Sequence, residues 1–356
     1  MAWTGDVKTR FLSQDDLIKL GLLNLKEMLE LNEQAIVDYY QKKIIYPGFH
    51  YVWVRKESKN RLKSMPLASP EKRVAHHLWV AYFPENPERH GVQNVTGIEV
   101  LNDPETGIPF AVMDGTAITN LRVGLMAGLG AKYLARENAQ VLGFIGTGMQ
   151  ARNILLAMRL VRPKIKQVRL AAKTRQEIDA FINDMKHHIP DLDFYVAKDM
   201  QDALGPADIK VTATSAQQPL LKKAWIRPGD LYVHVAGWED EYDVVKSADK
   251  VVVDDWVKVR DCHTQTITRM HDEGLFKESD IYAELPEIIL GKKKGRENEK
   301  EFIYYDFTNQ CGELYMANLL YRRSLEKNIG QDFYLQKKPL FDRRDVKFQF
   351  PIEVTV

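Results

Sequence analysis

Along this 356-residue chain the apolar positions change rhythm twice. Met28, Leu31, Ala35, Ile36 and Tyr39 recur at helical spacing and predict an amphipathic helix reaching about residue 43. Asn24, with Glu27 three residues on, caps its start; Ser13 with Asp16 caps a shorter helix that ends near Gly21. The rhythm then becomes that of strands. FHYVWVRKE, RLKSMPLA, HHLWVAYFP, TGIEVLND and IPFAVMDG are short, rich in β-branched and aromatic residues, and separated by Pro, Gly and Asn. LNDPETGIPFAVMDG reads as a hairpin with its turn at 103–107. The first region is therefore expected to be a mainly antiparallel sheet with an N-terminal helix.

From about residue 119 the pattern alternates. A long helix over 119–137 precedes strands at 140–145, 167–172, 193–197, 208–214, 231–236 and 250–253, with helical stretches between the early ones. Such alternation predicts an α/β chain with a Rossmann doubly wound parallel sheet. A last helix over 312–328 leads into FDRRDVKFQFPIEVTV, which alternates like a strand and is expected to return to the first sheet. The domains are then 1–121 together with 312–356, a discontinuous α+β unit, and 122–311, the parallel-sheet unit.

Composition narrows the partners. Hydrophobic residues make up 45% and charged ones 28%, with a net charge of +1, so neither nucleic acid nor membrane is expected as a partner. No apolar run approaches the roughly 18 residues a bilayer span needs, and the N-terminus lacks a signal-peptide pattern. Two cysteines, Cys262 and Cys311, fit a reducing cytoplasm. No histidine or cysteine set has metal-ligand spacing, so no metal is expected.

The chemistry concentrates in VLGFIGTGMQAR, where an apolar strand breaks into Gly146-Thr147-Gly148-Met149-Gln150-Ala151 and becomes helical. This is a G-x-G-x-x-A pattern in the context a dinucleotide fingerprint requires. The first glycine makes the turn, the second admits pyrophosphate to the backbone, and Ala151 allows close helix–sheet packing. An ordinary strand-to-helix turn is the competing reading. At the end of the next strand, RLAAKTRQ holds no carboxylate for a ribose, but Lys173, Thr174 and Arg175 suit a 2′-phosphate. NADP(H) is thus favoured, with NAD(H) open; alternatively, Lys173 and Arg175 are solvated charges at a helix start.

LNDPETGIPFAVMDGTAITNLRVGLMAGLGAKYLA followed by VLGFIGTGMQAR, with Met65-Pro66 upstream and ADIKVTATSAQQPLL and SADKVVVDD downstream, is similar to the ornithine cyclodeaminase/mu-crystallin family, from about residue 10 to 330. The resemblance implies a homodimer in which the first domain binds substrate and builds the interface. It implies NAD(P)H-dependent oxidoreductase chemistry on a C–N bond, imine reduction or amino-acid oxidation, of a small carboxylated substrate. Alternatives within the resemblance are a cyclodeaminase that recycles its cofactor and a non-catalytic NADPH-binding crystallin-like protein. By position, Arg122 would pair with the substrate carboxylate, an inter-domain salt bridge being the alternative, and Thr119 would sit near the nicotinamide. Thr212, Ala213, Thr214 and Ser215 would meet the cofactor ribose, and Val235 and Gly237 the nicotinamide. Glu239, or else Asp240, would hold the substrate amine. The chain also departs from the family pattern: the carboxylate-binding lysine falls on Leu78 and a second arginine on Phe49 or His50. Lys63 and Arg55 are candidate replacements. His76 and His77 flank Leu78, and one of them is expected to face the site as a proton donor; a histidine packed against the sheet is the alternative.

Overall fold

The structure, a computed structural model, describes residues 6–55, 57, 59–342 and 347–348. Among them the chain forms two compact units. One comprises the stretch up to Leu23, Lys42–Ile118 and the part from Leu314 on; the other comprises Asn24–Gln41 and Thr119–Glu313. In chain order the strands are β1 (Val7–Leu12), β2 (His50–Arg55), β3 (Asn60–Ser69), β4 (Val74–Tyr82), β5 (Val95–Asn102) and β6 (Pro109–Asp114). Then come β7 (Val141–Ile145), β8 (Gln167–Ala171), β9 (Asp193–Val196), β10 (Ile209–Thr212), β11 (Leu231–His234), β12 (Lys250–Val253), β13 (Ala283–Glu284), β14 (Ile303–Asp306) and β15 (Gln331–Gln336).

The first unit is a seven-stranded sheet in the order β15-β1-β6-β5-β4-β3-β2. Its neighbours are antiparallel except β1 and β6, which run parallel. On β4, Val74, His76, Leu78 and Val80 are buried while their neighbours are not, the period of two that sets one face inward. The expected hairpin is present: the Asp103 carboxylate accepts from the Glu105 and Thr106 N–H groups at 3.0 and 2.8 Å, closing the turn between β5 and β6. Ser13 and Asp16 form the expected capping box on the helix Gln14–Lys19.

β15, ahead of the tail, joins this sheet and pairs with β1, while the expected return of the tail itself falls mostly outside the described residues. The apolar pattern predicts neither strand. VKTRFL buries Thr9, whose hydroxyl donates to the Pro109 carbonyl at 3.0 Å, so a polar residue stands where an apolar one would signal a strand. QDFYLQ is exposed along nearly its whole length. Of the tail, Phe341–Asp342 pairs with Lys347–Phe348, and its other residues lie outside those described.

The second unit is a parallel sheet in the order β13-β12-β14-β11-β10-β7-β8-β9. Strands β10, β11, β12 and β14 are buried at every residue, as in a sheet covered on both faces. The strand order reverses at β7, with β8 on one side and β10 on the other, so the ends of β7 and β10 flank the switch point where such sheets bind ligands. β14, IYYD, is not predicted from the sequence, because three of its four residues carry polar atoms. The helix Gly115–Leu134 comes so close to the helix Met149–Val161 that a Cβ on Gly124 would stand 2.5 Å from the Asn153 backbone. No helix among the described residues is long and apolar enough to cross a membrane.

Candidate active site

The glycine turn begins where β7 stops. The Gly146 N–H donates to the Ala171 carbonyl at 2.8 Å, and its φ of +94° is one that L side chains rarely adopt. A Cβ there would also lie 2.5 Å from the Ala213 carbonyl oxygen, so only glycine lets the loops after β7 and β10 meet. Gly148 is the N-cap of the helix Met149–Val161, and no side chain caps that helix. A Cβ on Gly148 would meet nothing within 4 Å. The bend is therefore not sealed. Arg152 pulls the Thr147 and Gly148 carbonyls toward itself at 2.6 and 3.2 Å, which leaves the helix start to its N–H groups. A backbone of free donors beside open space fits a pyrophosphate. Met149 is exposed, and Gln150 donates to the Asn120 side chain at 2.9 Å while its Oε1 is buried without a partner.

At the end of β8 the three candidate cofactor residues have different tasks. Thr174 caps the helix Arg175–His188 through a capping box with Glu177. Arg175 lies along that helix, 2.8 Å from Asp179. Lys173 is exposed.

Ile145, Thr212, His234, Asp306 and Val253 stand in register at the carboxyl ends of five adjacent strands. Behind this row lies a buried polar network. Glu239 is fully buried; one carboxylate oxygen accepts from the Thr214 N–H at 2.8 Å and from the Thr214 hydroxyl, the other from Thr212 at 3.2 Å. Burial raises its pKa, against the pull of His234 and these donors. Glu239 thus ties the loop after β11 to the loop after β10. Ala213 is half-buried and Ser215 exposed. Asp240 accepts from Thr266 at 2.6 Å and from Tyr232 and Tyr304 at 3.3 Å; burial pushes its pKa up to about 7.

His234 sits 2.6 Å from the Gly237 carbonyl through Nε2 and 3.2 Å from Asp306 through Nδ1. Val235, half-buried, lies on the turn so closed. Burial alone would lower the histidine's pKa, but Asp306, Asp240 and Glu239 outweigh it and push it up to about 10. The imidazolium is thus the folded form at neutral pH. Its contribution to stability is full below the unfolded pKa of 6.5 and declines until it is lost above about pH 10. Unfolding free energies of the wild type and His234→Asn, measured from pH 6 to 10.5, should converge as pH rises, and a constant gap would contradict the charged assignment.

Arg122 and Glu313 form a buried ion pair, Nε to Oε1 at 3.0 Å. Oε2 of Glu313 is buried without a hydrogen-bond partner, as are the Thr119 and Thr308 hydroxyls and the Asn309 amide nitrogen. Sequence reasoning singles out Arg122 and Thr119 but not Glu313, Thr308 or Asn309.

In the first unit the two histidines part. His76 is buried with its Nε2 3.3 Å from Glu99, on the same face as Leu78. His77 points to the opposite face and bonds the Ser64 hydroxyl at 2.8 Å; burial, then His76, lowers its pKa. Leu78 is buried with Met65 and Val80 in a cluster against which Phe49 packs, and the Lys63 ammonium lies 3.7 Å over the Phe49 ring. His50 and Arg55, at the two ends of β2, are exposed.

The family model of the ornithine cyclodeaminase/mu-crystallin family matches residues 8–327. The chain belongs to the ornithine cyclodeaminase/mu-crystallin family. Within it, a Delta(1)-pyrroline-2-carboxylate reductase of Bacillus cereus is 32% identical over 317 residues, 87% of this chain and 95% of the relative. Among solved structures, the Delta(1)-pyrroline-2-carboxylate reductase of Thermococcus litoralis in complex with NADH and L-proline is 31% identical. It superposes with a TM-score of 0.84, covering 91% of this chain and 99% of that one. An archaeal alanine dehydrogenase dimer with bound NAD is also 31% identical, with a TM-score of 0.82 and 92% and 99% covered. Of the positions where a family cation was expected, Leu78 lies in the apolar cluster with Met65 and Val80 and Phe49 packs against it, whereas His50, the other candidate for the second, is exposed.

Proposed function

We propose that this protein is a nicotinamide-dependent oxidoreductase acting on the C–N bond of a small carboxylated substrate, by imine reduction or the reverse amino-acid oxidation. The observation that carries this reading is the open, uncapped helix start at Gly148 beside the positive-φ Gly146. The residues present fit the cofactor: Gly146 to Ala151 hold the pyrophosphate, and Thr212 to Ser215, with Val235 and Gly237, line its ribose and ring. When bound, the nicotinamide supplies or accepts hydride. This chain's part is to hold and orient, with Arg122 pairing the substrate carboxylate. Support comes from relatives named for alanine and for Delta(1)-pyrroline-2-carboxylate.

The test is a screen of amino acids, and of 2-oxo acids with amines, followed by the absorbance of NADPH and NADH. Net oxidation or reduction of the cofactor supports the reading. Turnover without net change would mark a cyclodeaminase, and tight nucleotide binding with no turnover a binding protein.

For the cofactor we favour NADP(H). No carboxylate stands at Ala171 and Ala172, and Lys173 is exposed there, ahead of Thr174 and Arg175 at the start of the next helix. Lys173→Glu should lower the ratio of NADPH to NADH affinity roughly tenfold, the loss of one charge-assisted phosphate contact. An unchanged ratio in paired titrations would reject the 2′-phosphate assignment.

A homodimer built by the first unit is supported by the dimeric alanine dehydrogenase neighbour and by Val52, Trp53 and Val54, exposed on the edge strand β2. The two free cysteines support a cytoplasmic setting.

A further inference from the structure

We propose that Glu313, rather than Glu239, binds the substrate nitrogen, so that Arg122 and Glu313 together recognise an α-ammonium or α-iminium carboxylate. The inference rests on the C–N oxidoreductase reading and deepens it. A carboxylate that holds an amine needs an oxygen to spare. Neither oxygen of Glu239 is free of a protein donor, one accepting from Thr212 and the other from both donors of Thr214. Glu313 has one to spare. Its Oε1 takes Arg122 Nε at 3.0 Å, and its Oε2 is buried with no partner among the described residues.

The pairing itself is incomplete in a telling way. Arginine and carboxylate side chains commonly close two parallel bonds, yet here only Nε is engaged, and no described residue accepts from the terminal nitrogens of Arg122. A buried pair kept only for structure would satisfy its remaining donors and lone pairs. This one leaves an acceptor and a set of donors unused side by side, one negative and one positive. That is the complement of a zwitterion: carboxylate to the guanidinium edge, nitrogen cation to Oε2. Because the site is already neutral as a pair, a ligand of net charge zero enters without leaving an unpaired charge. Glu313 also lies in the first turn of the 17-residue helix Cys311–Lys327. Thr119, one helical turn before Arg122, adds an unpartnered buried hydroxyl to the same helix face.

The assignment is tested by ligand binding rather than turnover. L-Proline is compared with tetrahydrofuran-2-carboxylate, and L-alanine with L-lactate, by calorimetry on the wild type, Glu313→Gln and Glu313→Asp, with and without NADH. In the wild type the nitrogen-bearing member of at least one pair should bind about tenfold tighter or more, the worth of a charge-assisted bond. Glu313→Gln should erase that preference while the oxygen analogue keeps its affinity, and Glu313→Asp should retain the preference. Equal binding or no binding of both members of each pair in the wild type overturns the proposal. So does a Glu313→Gln protein that keeps the preference, or one that loses both members alike. NADH titrated separately reports on the nucleotide site, so failure to bind it removes the oxidoreductase reading while the nitrogen preference is still read without it.

Discussion

Gly148→Asp is expected to lower dinucleotide affinity about 100-fold or more, a loss of about 2.7 kcal/mol, while the protein without nucleotide becomes no less stable. The two halves of this result have separate causes. A Cβ on Gly148 meets nothing within 4 Å and the backbone there is extended, with φ −75° and ψ −167°, so aspartate fits without strain. The position is an N-cap that no side chain serves, and aspartate is among the best residues for it. The carboxylate would then accept from the same first-turn N–H groups that the pyrophosphate needs, and would place negative charge against it. Titration calorimetry with NADPH and NADH measures the loss, and the thermal midpoint of the apo protein the stability. Unchanged affinity would sink the turn assignment. A collapse in midpoint would mean instead that Gly148 is needed for the fold, in contrast to Gly146, where a Cβ strikes the Ala213 carbonyl.

What the sequence made legible follows from how local each signal is. The turn at Gly146 and the caps at Ser13 and Asn24 are chemistry within a few residues, and each is found where its residues predict it. The buried strands β7, β10, β11 and β12 announce themselves as apolar runs. β1, β14 and β15 do not, since Thr9 is buried through a bond made 100 residues away and Tyr304, Tyr305 and Asp306 sink polar atoms into a network assembled by the sheet. The same limit shaped the site. Position in a family pattern points to Glu239 as the amine carboxylate, but its environment is set by Thr212 at the end of β10 and Thr214 in the loop that follows. His234 reads as one polar residue in an apolar strand, and its charge comes from Asp306, 72 positions on in the chain, which only the β11–β14 pairing brings beside it. Glu313 opens a helix and reads as a first-turn acid; nothing within a few residues reveals its partner Arg122.

Arg122→Ala is expected to destabilise the protein by about 3 kcal/mol, the cost of leaving a buried charge without its partner, and to weaken binding of carboxylated ligands. The structural part arises because Glu313 is fully buried and, among the described residues, its side chain bonds to Arg122 alone. Urea unfolding of the apo protein measures it as a lower midpoint at unchanged slope. If stability alone were at issue, replacing both charges by apolar residues of similar volume would repair it, since buried ion pairs are often no better than the hydrophobic contacts that replace them. Arg122→Met with Glu313→Leu should therefore recover most of the lost stability. It should not recover discrimination between L-proline and pyrrolidine, which differ by the carboxylate. A single Arg122→Ala costing under about 1 kcal/mol would show that the pair is solvated rather than buried. A double variant that regains ligand discrimination along with its stability would show that Arg122 organises the helix Gly115–Leu134 and does not touch the substrate at all.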